Sequence, residues 1–160
     1  MAVKAGVIGC GNIARFHFSG LEKAGVQVSW TCDLDIKRAE AWAEKTGARS
    51  TANYQEIVAD PAVDLVVVTV ISSAHKEICL EAIRASKAVI CEKTLAENPD
   101  DAWEIVQFAE SRNTIFYTSY MKRFIPAVEK AKELLPSIGK VMTTSIRTFQ
   151  PWGDLWGNVP

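Results

Sequence analysis

The stretch Gly9-Cys10-Gly11-Asn12-Ile13-Ala14, directly after the apolar pair Val7-Ile8, decides the fold of this chain. A strand that stops at two glycines and continues as a helix leaves backbone N–H groups directed at one point, where a dinucleotide pyrophosphate commonly binds. The first glycine permits a tight turn, the second lets phosphate approach the backbone, and the small Ala14 lets the helix pack close to the strand. The predicted cofactor contacts of this turn are Gly9, Gly11, Asn12 and Ile13.

A carboxylate at the end of the next apolar segment supports this interpretation. Residues 26–32 are typical of a second strand, and Asp33 follows the glycine turn by about twenty residues, where a carboxylate can accept hydrogen bonds from both ribose hydroxyls. An aspartate can also simply end a strand, so the prediction rests on the complete order of strand, turn, helix, strand and acid. Asp33 would repel a 2′-phosphate, which favours NAD over NADP, and the nearby Lys37 and Arg38 weaken that preference and keep NADP possible.

Composition restricts the remaining possibilities. The chain has 160 residues, of which 48% are hydrophobic, and a net charge of −1, which suits one sizeable core and argues against a nucleic-acid partner. The four cysteines include no C-x-x-C pair, which argues against a metal site or disulfides and indicates reduced thiols in the cytoplasm. The first residues run straight into a strand without room for a signal peptide, and the longest apolar run, 65–71, is too short to cross a membrane.

Predicted strands and helices alternate along the chain. Such alternation implies parallel strands with right-handed crossovers, and therefore an open, doubly wound α/β sheet of the Rossmann type. The run Val66-Val67-Val68 is apolar on both faces, as a central parallel strand requires. The predicted strands are 4–8, 26–32, 49–52, 65–70, 88–91 and 115–118, and the predicted helices lie near 13–24, 36–46, 54–59, 76–85 and 99–111.

Ligands of such sheets bind over the carboxyl ends of the strands. The residues predicted at those ends are Gly9, Asp33, Ile71, Ser72 and Glu92. His75 begins the helix after the central strand, where it could contact the nicotinamide end of a cofactor or simply satisfy nearby backbone groups. His17, between two phenylalanines in the first helix, is expected to pack there and to face away from the ligand.

The chain changes character after residue 120. A helix is predicted near 125–135, followed by a turn at 137–140 and a β-branched segment at 141–149 that resembles a strand; residues 151–158 have turn composition. We expect a dinucleotide-binding domain over 1–120, and over 121–160 a linking helix and the first strand of a truncated, incomplete α+β second domain. Because that strand would have an unpaired edge, we expect either dimers formed through residues 141–149 or a frayed tail.

Several motifs in the same order point to one family. They are the glycine turn, Asp33, His75, the pair Glu92-Lys93, and Lys122-Arg123-Phe124-Ile125-Pro126 followed by Gly139. Over nearly its whole length the chain resembles the glucose-fructose oxidoreductase and inositol dehydrogenase family (Gfo/Idh/MocA). The resemblance implies a nicotinamide cofactor, a sugar, inositol or other polyol as small-molecule substrate, and an E-K-P motif at the end of the fifth strand.

The sequence departs from the family pattern at three places. Thr94 replaces the proline of E-K-P, and Val70-Ile71 replaces a threonine-proline after the fourth strand. The aspartate and histidine of a D-x-x-x-H arrangement, which the family places in its second domain, have no counterpart here. The two histidines of the chain, His17 and His75, both lie in the nucleotide-binding half.

Lys93 is the predicted catalytic residue. Oxidation of a secondary alcohol requires one group that accepts the hydroxyl proton and another that stabilises charge on the oxygen while hydride leaves for the nicotinamide. Lys93 fits the second role and could also relay the proton, and Glu92 next to it could orient the cofactor or the lysine. The resemblance supports these roles and cofactor contact by both residues. Without the resemblance, a Glu-Lys pair at a strand end is more simply a solvated surface pair, and Arg123 is a further candidate for substrate contact.

Two classes of function remain open. The chain is either the cofactor domain of a NAD(P)-dependent oxidoreductase or a catalytically incomplete dinucleotide-binding module or sensor that lacks the second-domain general base. Methyltransferases also use a glycine turn and a ribose-binding acid, but the motifs at Glu92-Lys93 and Arg123-Phe124 favour the oxidoreductase.

Overall fold

The computed structural model describes residues 2–147. The chain divides into two compact units, Met1–Ser119 and Tyr120–Pro160, and the second is described only as far as residue 147. No helix among the described residues is long and apolar enough to cross a membrane.

In the first unit, strands and α-helices alternate in the predicted order, and every bound lies within two residues of its prediction. The strands are β1 (Lys4–Ile8), β2 (Gln27–Cys32), β3 (Arg49–Thr51), β4 (Leu65–Val68), β5 (Ala88–Cys91) and β6 (Phe116–Thr118). The helices are α1 (Ala14–Lys23), α2 (Ile36–Thr46), α3 (Tyr54–Ala59), α4 (His75–Arg84) and α5 (Pro99–Ser111), with a 3₁₀ turn, Ser72–Ala74, before α4.

The strands form one parallel sheet in the order β3-β2-β1-β4-β5-β6. This order reverses direction between β1 and β4, and such a reversal opens a crevice at the carboxyl ends of the strands. The predicted doubly wound α/β sheet is therefore confirmed. The central place of Val66-Val67-Val68 is confirmed as well, because β4 lies between β1 and β5 and its three valines are fully buried.

Side-chain caps fix where three of the helices begin. Asp35, Asn53 and Asn98 precede α2, α3 and α5, and each accepts a hydrogen bond from a backbone N–H in the first turn. Gly47 ends α2 in the left-handed conformation that favours glycine. Helix α1 differs from these three, because Ile13 precedes it and supplies no side-chain cap.

The sheet separates two buried clusters. Ile57, Ile78 and Ile105 belong to the cluster that α3, α4 and α5 cover, whereas Ala14 and Phe18 belong to the cluster under α1 and α2. Successive side chains of a strand point to opposite faces, and β4 accordingly contributes Val66 and Val68 to the first cluster and Val67 to the second.

The second unit contains a 3₁₀ turn (Met121–Phe124), helix α6 (Pro126–Leu134) and another 3₁₀ turn (Leu135–Ile138). Helix α6 corresponds to the helix predicted near 125–135. The strand predicted over 141–149 is not formed at residues 141–147, because a strand requires a neighbour for its hydrogen bonds and no other strand lies between residues 120 and 147. Residues 148 and 149, and the turn predicted at 151–158, lie outside the described residues, and the dimer proposed through this segment stays a prediction.

Substitution of Gly9 tests the turn on which the sheet edge depends. Gly9 has a φ of +96°, and a Cβ there would lie 2.7 Å from backbone atoms of Thr69. We expect Gly9→Ala to lower the free energy of unfolding by at least about 1–2 kcal/mol, the cost of a left-handed conformation alone. In α1 a Cβ on Gly20 would meet nothing within 4 Å, so Gly20→Ala should stabilise the chain by about 0.5–1 kcal/mol. Urea unfolding of both variants measures this, and equal effects would contradict the role of Gly9.

Candidate functional site

The glycine turn is tied to the ends of both strands that flank β1. The Gly9 N–H donates to the Cys32 carbonyl oxygen at 2.7 Å, at the end of β2. The Thr69 hydroxyl, just beyond β4, donates to the Gly9 carbonyl oxygen at 2.5 Å. The turn therefore lies at the reversal point of the sheet, where a crevice is expected.

The start of α1 suits an anionic group. Ile13 gives this helix no side-chain cap, and its first turn holds no acidic residue, so the backbone N–H groups and the positive end of the helix dipole favour a negative charge. A Cβ on Gly11 would meet nothing within 4 Å, which leaves space directly over the turn. Behind it, Ala14 is fully buried, as expected where the helix packs close to the sheet. Gly11, Ile13 and the exposed Asn12 thus lie where a pyrophosphate would fit.

Asp33 is held in a fixed orientation beside this turn. Its Oδ2 accepts a hydrogen bond from the Cys10 N–H at 2.8 Å, and its Oδ1 accepts one from the Asp35 N–H at 2.9 Å. Each carboxylate oxygen has a second lone pair, so the group can still accept from two hydroxyls. Arg38, one of the basic residues that weakened the expected preference for NAD, has its Nε 3.5 Å from Asp35 Oδ2.

Two large apolar side chains are exposed at the same edge. Leu34, directly after Asp33, is 95% exposed, and Ile71, which follows β4, is 75% exposed. Ser72 begins the 3₁₀ turn that follows Ile71 and is partly exposed. Ligand sites combine apolar side chains with a few polar groups, and both kinds are exposed at this edge. Leu34 was not predicted, although its place next to Asp33 was a signal for it.

His75 is buried and bridges two backbone carbonyls. Its Nδ1 lies 2.9 Å from the Thr94 carbonyl oxygen and its Nε2 lies 3.1 Å from the Val70 carbonyl oxygen, and only 1% of the residue is exposed. A ring N–H can therefore donate to a backbone carbonyl, which agrees with one of the two alternatives for this residue. Cofactor contact by His75 stays a prediction, and both ring nitrogens face backbone carbonyl oxygens inside the protein.

Glu92 is a buried carboxylate surrounded by donors. His17 Nε2 lies 2.7 Å from Glu92 Oε1, and the Lys93 N–H donates to Oε2 at 3.1 Å. Ser119 contributes a further side-chain hydrogen bond. Burial raises the pKa of Glu92, but the hydrogen bonds from His17, Ser119 and the Lys93 N–H together outweigh it and leave the pKa below its ordinary value.

The expectation that His17 faces away from the site is wrong. The helical spacing from Ala14 to His17 places both on one side of α1, and the sheet brings the end of β5 under that side. The two phenylalanine neighbours of His17 indicate packing, and neither indicates a carboxylate 75 residues away.

Lys93 is exposed at the carboxyl edge, directly after the buried Glu92. The peptide bond between Lys93 and Thr94 is cis, although threonine stands where the family has proline. Arg123, the weaker candidate for substrate contact, belongs to the 3₁₀ turn of the second unit.

Nine of the predicted site residues lie at the carboxyl edge of one sheet. They are Gly9, Gly11, Asn12, Ile13, Asp33, Ile71, Ser72, Glu92 and Lys93.

The four cysteines are buried and none is in a disulfide. Burial, with Asp33 and Cys32 nearby, raises the pKa of Cys10 to about 12, and burial with Asp33 and Glu56 raises the pKa of Cys32 to about 11. A hydrogen bond from the Cys91 thiol to Cys79, together with burial, raises the pKa of Cys91 as well. Because the thiolate is the reactive form, these side chains serve as packing groups. Within residues 2–147 no group of three or more His, Cys, Asp and Glu side chains could hold a metal ion.

Comparison with known proteins agrees with this geometry. Residues 3–120 match the Gfo/Idh/MocA oxidoreductase family, described as having an NAD-binding Rossmann fold. Inositol 2-dehydrogenase 3 of Saccharopolyspora erythraea is 34% identical over 142 residues, which cover 87% of this chain and 42% of that protein.

Solved structures show the same similarity. The WlbA dehydrogenase of Chromobacterium violaceum, solved with NADH and UDP-GlcNAcA, superimposes with a TM-score of 0.80 at 28% identity, over 85% of this chain and 40% of its own. The myo-inositol dehydrogenase of Lactobacillus casei, solved with NAD(H) and myo-inositol, gives a TM-score of 0.80 at 29% identity, over 86% and 42%.

The chain belongs to the Gfo/Idh/MocA oxidoreductase family and carries its NAD-binding Rossmann fold. The predicted family is therefore confirmed. The chain spans about 42% of the length of the curated relatives it matches.

The contribution of Glu92 to the free energy of unfolding should depend on pH. Because the pKa of Glu92 is lowered in the folded state, its ionised form stabilises the fold above the ordinary pKa of glutamate, about 4.3, and this contribution is lost as the pH falls through the lower folded value. We expect Glu92→Gln to cost about 1–3 kcal/mol of unfolding free energy at pH 7, and the difference from wild type to shrink in acid. Denaturant unfolding between pH 7 and pH 3 measures it. Glu97→Gln, at an exposed glutamate, should show neither effect, and a constant deficit for Glu92→Gln at all pH values would contradict the assignment.

Proposed function

We propose that this chain is the cofactor domain of a NAD-dependent oxidoreductase that transfers hydride between nicotinamide and an alcohol carbon of a sugar, inositol or related polyol. The observation that carries the proposal is the junction of Asp33 with the glycine turn. The Cys10 N–H, inside the turn, donates to the Asp33 carboxylate, so the open start of α1 and an oriented ribose acceptor lie side by side. The family description and the nicotinamide-bound relatives support the same cofactor.

The arrangement of the edge gives each part of the cofactor a partner. The pyrophosphate would bind over Gly11 at the start of α1, the adenosine ribose at Asp33, and the adenine ring against the exposed Leu34. Since β4 and β5 lie on the other side of β1 from β2, the nicotinamide end would extend past Ile71 toward Lys93. The bound nicotinamide supplies the hydride acceptor.

Lys93 is the proposed catalytic residue. Its ammonium group would stabilise negative charge on the substrate oxygen while hydride is transferred, and the carboxylate of Glu92 holds the Lys93 backbone through the hydrogen bond to its N–H. The proton of the substrate hydroxyl requires a separate acceptor.

One observation favours the second candidate function, a dinucleotide-binding module without turnover. Both histidines of the chain are engaged inside the protein, His17 with Glu92 and His75 with two backbone carbonyls. Neither ring is therefore placed to accept the substrate proton. Measurement of NADH production with inositols and sugars distinguishes the two functions.

The two units would then have separate roles. The unit Met1–Ser119 would bind the cofactor, as proposed for residues 1–120, and residues 121–160 would form the linking helix and the beginning of a substrate domain. A cytoplasmic location and a homo-oligomer, which the sequence predicted, are part of the same proposal.

Titration with NADH tests cofactor binding directly. Energy transfer from the five tryptophans to bound NADH should saturate in the wild type. Because the space over Gly11 is open, Gly11→Ala should leave the thermal unfolding temperature near that of the wild type and weaken NADH binding by about tenfold, or 1.4 kcal/mol. Gly20→Ala is the matched control and should bind as the wild type does. Wild-type protein that folds and does not bind NADH would refute the proposal.

Asp33→Asn tests the choice of cofactor. Loss of the charge should weaken NADH binding by about tenfold and relieve repulsion of the 2′-phosphate of NADPH, so the ratio of the two dissociation constants should shift toward NADPH. Glu44→Gln removes an exposed carboxylate within α2 and should leave that ratio near the wild-type value. Equal losses for NADH and NADPH in Asp33→Asn would show that Asp33 does not select between them.

A further inference from the structure

The two histidines of this chain contact the same short turn from opposite ends. His17, on α1, bonds to the side chain of Glu92 at 2.7 Å, and His75, at the start of α4, bonds to the carbonyl oxygen of Thr94 at 2.9 Å. Lys93 lies between these two partners. We name His17 and His75 together the histidine clamp.

The clamp holds the turn through groups that are poorly accessible to solvent. The side chain of His17 is 12% exposed and that of Glu92 is 5% exposed, and His75 is 1% exposed. A hydrogen bond in such surroundings is lost without full replacement by water. The position of the Lys93 backbone therefore depends on both contacts, together with its own N–H bond to Glu92 Oε2.

The residue at position 94 makes this dependence stronger. A proline would restrict φ there by its own ring, whereas threonine leaves the backbone more conformational freedom. The Thr94 carbonyl oxygen is bonded to His75, so a tertiary contact supplies part of the restraint that the sequence does not.

We propose that His17 and His75 are positioning residues that hold Lys93 in place, His17 through Nε2 and His75 through Nδ1. That Lys93 then faces the nicotinamide rests on the proposed function, whereas the clamp itself does not. The two nitrogens differ in their distance from the backbone, and this difference makes the proposal testable.

The protonation of His75 is the first test. Both partners of its ring are carbonyl oxygens, which only accept hydrogen bonds, and a neutral imidazole carries a single N–H. The clamp requires that N–H on Nδ1. In ¹⁵N NMR spectra of the histidine-labelled wild-type chain, Nδ1 of His75 should show the shift of a protonated nitrogen, and an unprotonated Nδ1 would overturn the proposal.

Reciprocal substitutions are the second test. The amide nitrogen of glutamine reaches about as far as Nε2, and that of asparagine about as far as Nδ1. His17→Gln and His75→Asn should therefore keep the clamp, and His17→Asn and His75→Gln should break it. Hydrogen exchange at the Lys93 amide, measured without cofactor, should be about tenfold faster in the second pair.

Exchange at Val66–Val68 amides in β4 is the internal control, because core strands open only with the whole domain. Its acceleration in each variant measures the loss of global stability, and the Lys93 amide should be accelerated by more than that in the two variants that break the clamp. Two results would overturn the clamp by showing a general loss of stability. One is that, at each histidine, the Asn and Gln variants have the same exchange rate at Lys93. The other is that exchange in β4 is accelerated as much as exchange at Lys93. If the variants do not fold, the ¹⁵N spectrum of the wild-type chain still tests whether Nδ1 of His75 carries the proton. Wild-type protein that does not bind NADH would refute the proposed function and leave the exchange result valid.

Discussion

The close approach of Gly9 to the end of β4 is the contact on which the rest of this structure depends. The absence of a Cβ lets the Gly9 backbone lie against Thr69, whose hydroxyl bonds to the Gly9 carbonyl oxygen. The same turn bonds to Cys32 at the end of β2 and, through the Cys10 N–H, to Asp33. One glycine thus brings three strand ends together and sets the direction in which α1 leaves the sheet.

Two carboxylates at this edge have different roles because their surroundings differ. Asp33 is partly exposed, and each of its oxygens accepts one backbone N–H, which orients the group and leaves acceptor capacity toward solvent. Glu92 is buried, and its oxygens bond to His17 and the Lys93 N–H. The first arrangement suits recognition of a ligand, and the second suits support of a neighbouring residue. In the sequence the two residues look alike, because each is a carboxylate that directly follows a strand.

The proposed function gives this chain the cofactor side of the reaction. Under the proposed function its residues would supply an anion site, a ribose acceptor and a lysine at the cofactor edge, and both of its histidines contact residues at that edge. The chain spans about 42% of the length of its curated relatives, and the D-x-x-x-H arrangement expected of the family's second domain is absent from its sequence.

The sequence by itself determined the order of strands and helices, because apolar periodicity, glycine turns and helix caps are local. Helices α2, α3 and α5 begin at the predicted residues, where Asp35, Asn53 and Asn98 cap them. Only the tertiary structure decided that His17 reaches Glu92, since strand order and register bring together groups that are 75 residues apart. It also decided that residues 141–147 form no strand, because β-branched composition favours extended backbone but a strand exists only beside another that completes its hydrogen bonds.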